Sequence, residues 1–144
     1  MTGEGKTTVA LNLARAYSES GARTLLIEGD LRRPVLSERL SVAAEPGLAD
    51  VLRGEATLES ATRRVALDAD SATAPRARLD ILVAGAAASN PQGLLEGKQM
   101  SRLLAALGDR YDMLLRVRPL GVVANGVSRR AGYYPAREVA PVPG

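Results

Sequence analysis

The 144-residue chain contains no cysteine, no histidine, no tryptophan and no phenylalanine. Each absence closes a route. Without cysteine there are no disulfides and no thiolate chemistry, which fits a reducing compartment. Without histidine the commonest metal ligand and the commonest general base are gone. Any catalysis must therefore run on carboxylates, lysine, arginine, hydroxyls or tyrosine. Only four tyrosines supply aromatic surface, so the core has to be aliphatic and rich in alanine. No apolar run approaches the ~20 residues of a membrane span, and no charged-then-apolar signal opens the chain. The net charge of +3 is carried almost wholly by scattered arginines. They form no basic stripe interleaved with aromatics, which argues against nucleic acid as a partner. What remains, 46% hydrophobic and 24% charged residues, is ordinary globular composition for one domain with a real core.

Periodicity organises the chain as alternating strands and helices. Val9, Leu13, Ala16 and Tyr17 recur at helical spacing between Lys6 and about Ser20. Thr24 to Ile27 reads as a buried strand, closed by Glu28-Gly29-Asp30. Helices are expected from Pro34 to Leu40, Leu48 to Arg53 and Thr57 to Val65, with a loop from Asp68 to Arg78. Leu79 to Val83 reads as a second strand, and Asn90-Pro91 as a break. A helix is expected from Lys98 to Leu107, with Met100, Leu103, Leu104 and Leu107 on one side. Met113–Leu115 and Leu120–Val123 read as further strands. The pattern implies an α/β fold with a mostly parallel sheet flanked by helices, and ligands beyond the carboxyl ends of its strands. Residues 1–127 form the expected domain, and residues 128–144 the expected mobile tail carrying Tyr133 and Tyr134.

Two segments carry chemistry. Gly3-Glu4-Gly5-Lys6-Thr7-Thr8 reads as the core of a phosphate-binding loop. Glycines let backbone N–H groups close around phosphates, Lys6 reaches the β/γ-phosphates, and the Thr7 hydroxyl suits Mg²⁺. The full motif would place its first glycine one position before Met1, and the strand that normally feeds such a loop is not in this sequence. Next, Leu25-Leu26-Ile27-Glu28-Gly29-Asp30-Leu31-Arg32 is an apolar strand ending in two spaced carboxylates. A carboxylate there can hold Mg²⁺ or accept a proton from an attacking hydroxyl. The plain alternative is that Glu28 and Asp30 cap a loop and the next helix.

Taken together, these two segments resemble the bacterial protein-tyrosine kinases of capsular and exopolysaccharide synthesis, a partition-ATPase-like branch of the P-loop proteins. Pro46-Gly47-Leu48-Ala49-Asp50-Val51-Leu52, Leu79 to Gly85, Asn90 to Leu95 and Tyr111-Asp112 are similar to further family segments, in order. The tail Ser128 to Tyr134 resembles the family's tyrosine cluster. The resemblance implies ATP and Mg²⁺ as ligands, with Gly3, Glu4, Gly5, Lys6, Thr7 and Thr8 in the phosphate site. It implies Lys6 and Asp30 in catalysis, with Thr7, Asp30 and Glu28 as metal candidates. Tyr133 and Tyr134 become phosphoacceptors, modified by a neighbouring copy. It also implies a membrane-spanning chain-length regulator as partner, and a cytoplasmic place at the inner face of the membrane through that partner. Two departures stand out. Glu28 replaces an aspartate, and Met113-Leu114-Leu115-Arg116-Val117-Arg118-Pro119 lacks the strand-end aspartate that holds Mg²⁺ in the family. A first strand and a central βα region are expected to be missing. Arg116 to Pro119 is too short for a parallel crossover, leaving an antiparallel hairpin or a displaced strand. A kinase with impaired transfer is the leading expectation. A non-catalytic remnant or nucleotide-binding module, and a partition-type ATPase switch, are the alternatives.

Overall fold

The computed structural model describes residues 3–66, 78–126 and 137–138. In chain order the elements are α1 (Gly3–Glu19), β1 (Thr24–Glu28), α2 (Leu36–Leu40), α3 (Leu48–Leu52), α4 (Leu58–Ala61), β2 (Thr62–Ala66), β3 (Arg78–Leu82), α5 (Pro91–Glu96), α6 (Lys98–Leu107), β4 (Met113–Arg118), β5 (Gly121–Gly126) and β6 (Arg137–Glu138). The strands form one sheet in the order β2-β3-β1-β4-β5-β6. Its centre is parallel: β1 lies between β3 and β4. Its flanks, β2 on β3 and β5 and β6 beyond β4, are antiparallel.

Helices cover both faces, as the α/β reading expects. Every residue of β1 is buried, the mark of a strand covered on both sides. Alternation divides its side chains. Leu26 joins Ala10, Ala14, Leu36, Ile81, Leu115 and Val117 on the α1 face. Leu25 and Ile27 join Leu48, Met100, Leu103, Leu107 and Leu114 on the opposite face, under α3 and α6. Ala10 and Ala14 of α1 are fully buried, so the helix sits close on the sheet. Helix α6 has the expected bounds and buries Met100, Leu103 and Leu107, one stripe at helical spacing.

The strand and helix expectations fail in two places for visible reasons. Thr57 to Val65 is helical only over α4, which Thr57 caps by accepting a hydrogen bond from the Ser60 N–H at 3.1 Å. The chain then becomes β2, whose Arg64 lies opposite Asp80 and pairs with it at 3.0 Å. Tertiary pairing overrides local preference there. Asn90-Pro91 does not merely break the chain. Asn90 accepts from the Gly93 N–H, and Pro91 occupies the first turn of α5.

The short link after β4 closes an antiparallel hairpin: Arg118 pairs with Gly121, leaving Pro119-Leu120 as the turn. No parallel crossover separates β4 from β5. Beyond it, two residues of the expected tail, Arg137 and Glu138, pair with β5. Tyr133 and Tyr134 lie outside the described residues.

Two of the motif segments meet in the structure. The backbones of Gly47 and Gly85 touch, and a Cβ on Gly47 would strike the Val83 carbonyl and the Gly85 N–H. Asp50 locks the contact, accepting from the Gly47 N–H at 2.8 Å and the Ala86 N–H at 3.1 Å. Burial alone would raise the Asp50 pKa. These backbone donors and the Arg53 guanidinium outweigh it and hold the carboxyl below its ordinary range.

Candidate nucleotide-binding site

The glycine-rich segment opens α1, and helix geometry begins at Gly3. The first N–H groups of a helix have no intrahelical acceptor and carry a partial positive charge. That end of α1 meets the carboxyl end of β1, where Glu28-Gly29-Asp30 leave the sheet. The structure thus brings together the two segments singled out in the sequence.

Lys6 is the centre of the arrangement. It is 7% exposed, and its Nζ donates to Asp30 Oδ2 at 3.4 Å and to the Pro119 carbonyl at 3.0 Å. Asp30 is also buried, and its Oδ1 accepts from the Arg33 N–H at 3.3 Å. Thr7 is fully buried. Thr8 is exposed, its hydroxyl within 3.4 Å of the Arg39 guanidinium. Nothing in sequence patterning could have named Pro119, because it acts through its backbone carbonyl.

Glu28 sits deeper than a surface cap. Its Oε2 accepts from the Leu36 N–H at 3.0 Å and the Val35 N–H at 3.3 Å, fixing the start of α2. Its Oε1 is buried and has no hydrogen-bond partner. Burial pushes its pKa up, the two backbone donors only partly offset this, and the neighbouring Asp30 charge adds to the rise. The capping role read as the plain alternative is therefore present. One oxygen remains with unmet acceptor capacity, and that suits a proton or a hard cation. Among the described residues, no group of three or more acidic side chains is placed to hold a metal by itself.

At the end of β4 the expected aspartate is absent, and the side chains alternate. Val117 is buried on the α1 face, opposite Glu28 in the β1–β4 register. Arg116 and Arg118 project to the other face. There they line a cavity of 590 Å³ with Ile27, Asp30, Leu95 and Met100. Burial lowers the Arg116 pKa, and the like charge of Arg118 lowers it further.

A family model described as the CobQ/CobB/MinD/ParA nucleotide-binding domain matches residues 1–136. The chain belongs to that family. Within this nucleotide-binding family it is similar to bacterial tyrosine-protein kinases. Tyrosine-protein kinase YwqD of Bacillus subtilis is 33% identical over 113 residues, covering 78% of this chain and 44% of YwqD. The kinase domain of the Escherichia coli tyrosine kinase ETK superposes with a TM-score of 0.68 at 28% identity, covering 78% of this chain and 40% of that one. The septum site-determining protein MinD of Pyrococcus horikoshii, solved with Mg-ADP, gives a TM-score of 0.61 at 31% identity, covering 84% and 46%. The chain spans at most half the length of the first curated kinases it matches. These likenesses agree with the P-loop α/β fold and the kinase family read from the motifs. No helix among the described residues is long and apolar enough to cross a membrane.

Proposed function

We propose that this chain binds ATP with Mg²⁺ at the start of α1 and derives from a protein-tyrosine kinase of capsular or exopolysaccharide synthesis. The observation that carries the reading is the buried Lys6, held at a helix N-terminus against Asp30 at the end of the central strand. In this reading Gly3 to Lys6 offer backbone N–H groups to the phosphates. Lys6 exchanges its contact with Pro119 for phosphate oxygens. The Thr7 hydroxyl, Asp30 and the unpartnered Glu28 oxygen form a hard-oxygen set that suits Mg²⁺. Bound there, the ion would neutralise phosphate charge. Asp30 holds Lys6 in place and is the proposed base for a tyrosine hydroxyl. Tyr133 and Tyr134 are the proposed acceptors, presented by a neighbouring copy. A membrane-spanning regulator of polysaccharide length is the proposed partner, and the inner membrane face the proposed location.

Transfer by this chain alone is expected to be weak. The strand end that would bring a further carboxylate to the metal presents Val117 to the α1 face instead. That observation favours the second reading, a nucleotide-binding module without transfer. The likeness to MinD favours a partition-type ATPase switch. Incubating the purified chain with γ-labelled ATP and Mg²⁺, alongside calorimetry with ATP, separates these. ATP binding with weak tyrosine label that Lys6→Met abolishes supports the proposal, and ATP binding with no label supports the module without transfer. Strong label on Tyr133 or Tyr134, abolished by Lys6→Met, would restore a full kinase. Release of phosphate without label would favour the switch. No ATP binding overturns all three.

A further inference from the structure

The face of the sheet away from α1 carries a feature that the phosphate site does not use. Arg116 and Arg118 stand two apart on β4 and so share that face, over the 590 Å³ cavity. Arg32, on the loop after β1, lines the same cavity. Its apolar wall is Ile27, Leu95, Met100 and Val123. Two carboxylates border it, and both are engaged elsewhere. Asp30 takes Lys6 and the Arg33 N–H, and Glu96 accepts from the Gln92 amide at 3.1 Å. Among the described residues, no carboxylate forms an ion pair with Arg116 or Arg118.

This is an unusual place for such groups. Arginine normally meets half-burial with a partner, because withdrawing a charge from water is costly. Here Arg116 is half-buried with a second guanidinium as its charged neighbour. The plain reading is two solvated arginines at a strand end. It suits the exposed Arg118, but it leaves Arg116 half-withdrawn beside Ile27, Leu95 and Met100 without a counter-charge. A bound anion answers that need. Guanidinium forks match the spaced oxygens of a phosphate better than a point charge does. The adjoining apolar wall has room for a small organic group.

We propose that the cavity over β4 binds a phosphomonoester, with Arg116 and Arg118 gripping the phosphate, Arg32 closing on it, and Ile27, Leu95 and Met100 taking the organic group. Two sources share this chemistry: the phosphate ester of a tyrosine side chain and the phosphate of a nucleotide. The cavity adjoins the start of α1, since Asp30 and Pro119 border both, but its guanidiniums lie on the opposite face of the sheet from Lys6.

Calorimetric titration of the full chain with phenyl phosphate and with AMP tests the proposal, with phenol as the uncharged control. At least one ester is expected to saturate at millimolar concentration or below, and phenol is not. Tighter binding of phenyl phosphate assigns the site to an aryl phosphate, and tighter binding of AMP assigns it to a nucleotide. Arg118→Gln, an exposed substitution that leaves the core untouched, is expected to weaken binding about tenfold, as loss of a charged hydrogen bond does. Arg116→Met is expected to weaken it at least as much. The proposal is overturned if neither ester saturates, or if affinity survives both substitutions. It is also overturned if binding persists in Arg118→Gln and falls in Lys6→Arg, which would place the ligand at the start of α1.

Discussion

The two faces of the sheet at its carboxyl edge make an instructive pair. They are built from the same strand ends, β1 and β4, yet they handle charge in opposite ways. Toward α1, Lys6 is buried against Asp30, Glu28 is buried against the start of α2, and Val117 and Leu115 join the apolar cluster on that face. Toward α5 and α6, Arg116 and Arg118 stand beside an open cavity with no carboxylate paired to them among the described residues. The difference is one of parity. Side chains alternate along a strand, so a single step decides which face receives a charge. In β4 the odd positions face α1 as apolar groups, and of the even positions Leu114 joins the opposite core while Arg116 and Arg118 bring cations to that side. A strand paired with β1 thus keeps its charged groups on one face and apolar groups on the other.

The comparison breaks most sharply at Val117. Val117→Asp would bury a carboxylate beside Glu28, on the α1 face. Without metal it is expected to destabilise the chain by about 3 kcal/mol in urea unfolding, the cost of an unpaired buried charge. Adding Mg²⁺ with ATP should recover part of that loss. No recovery would mean that this face cannot be turned into a metal site by restoring its carboxylate. Next comes Lys6→Met, which leaves Asp30 with one backbone donor. Calorimetry is expected to show ATP affinity falling roughly 10- to 100-fold. Unchanged affinity would remove the start of α1 from nucleotide binding altogether.

On the opposite face the sign reverses. Arg116→Met removes a half-buried cation whose charged neighbour is another cation, and is expected to raise stability by about 1 kcal/mol in the absence of ligand. A loss of stability would show that Arg116 is already compensated. The smallest expected effect belongs to Glu28. Its folded pKa lies above the ordinary 4.5, so its contribution is fully present below that value and is lost as pH rises through the folded value. Glu28→Gln should remove that loss. The variant is expected to gain a few degrees in melting temperature over the parent at neutral pH, and less in acid. An equal difference at all pH values would mean that Glu28 titrates normally.

Sequence and structure agree where the determinants are local. Helix α6 was legible to the residue because Met100, Leu103 and Leu107 form one stripe. β1 was legible because both of its faces are apolar. Chain length alone excluded a parallel crossover after β4, and the antiparallel hairpin is one of the two arrangements it left open. β2 was not legible: Thr62-Arg63-Arg64-Val65-Ala66 has no apolar alternation, and it becomes a strand only because β3 offers an edge with Asp80 opposite Arg64. The meeting of Lys6 and Asp30 could be read from the two motifs, since each marks the same end of the sheet. The Pro119 carbonyl could not, because a backbone acceptor leaves no trace in residue type. Arg116 and Arg118 were visible as the absence of an aspartate, but which face they take depends on register.

The contact between Lys6 and the Pro119 carbonyl has a practical corollary. Pro119 shares its turn with Leu120, whose side chain is 83% exposed. The chain has no cysteine, so Leu120→Cys would supply a single thiol, available for a fluorophore or a spin label without further changes. A reporter placed there sits one residue from the oxygen that Lys6 must leave in order to meet phosphate. It would turn the absence of cysteine into an optical readout of nucleotide arrival.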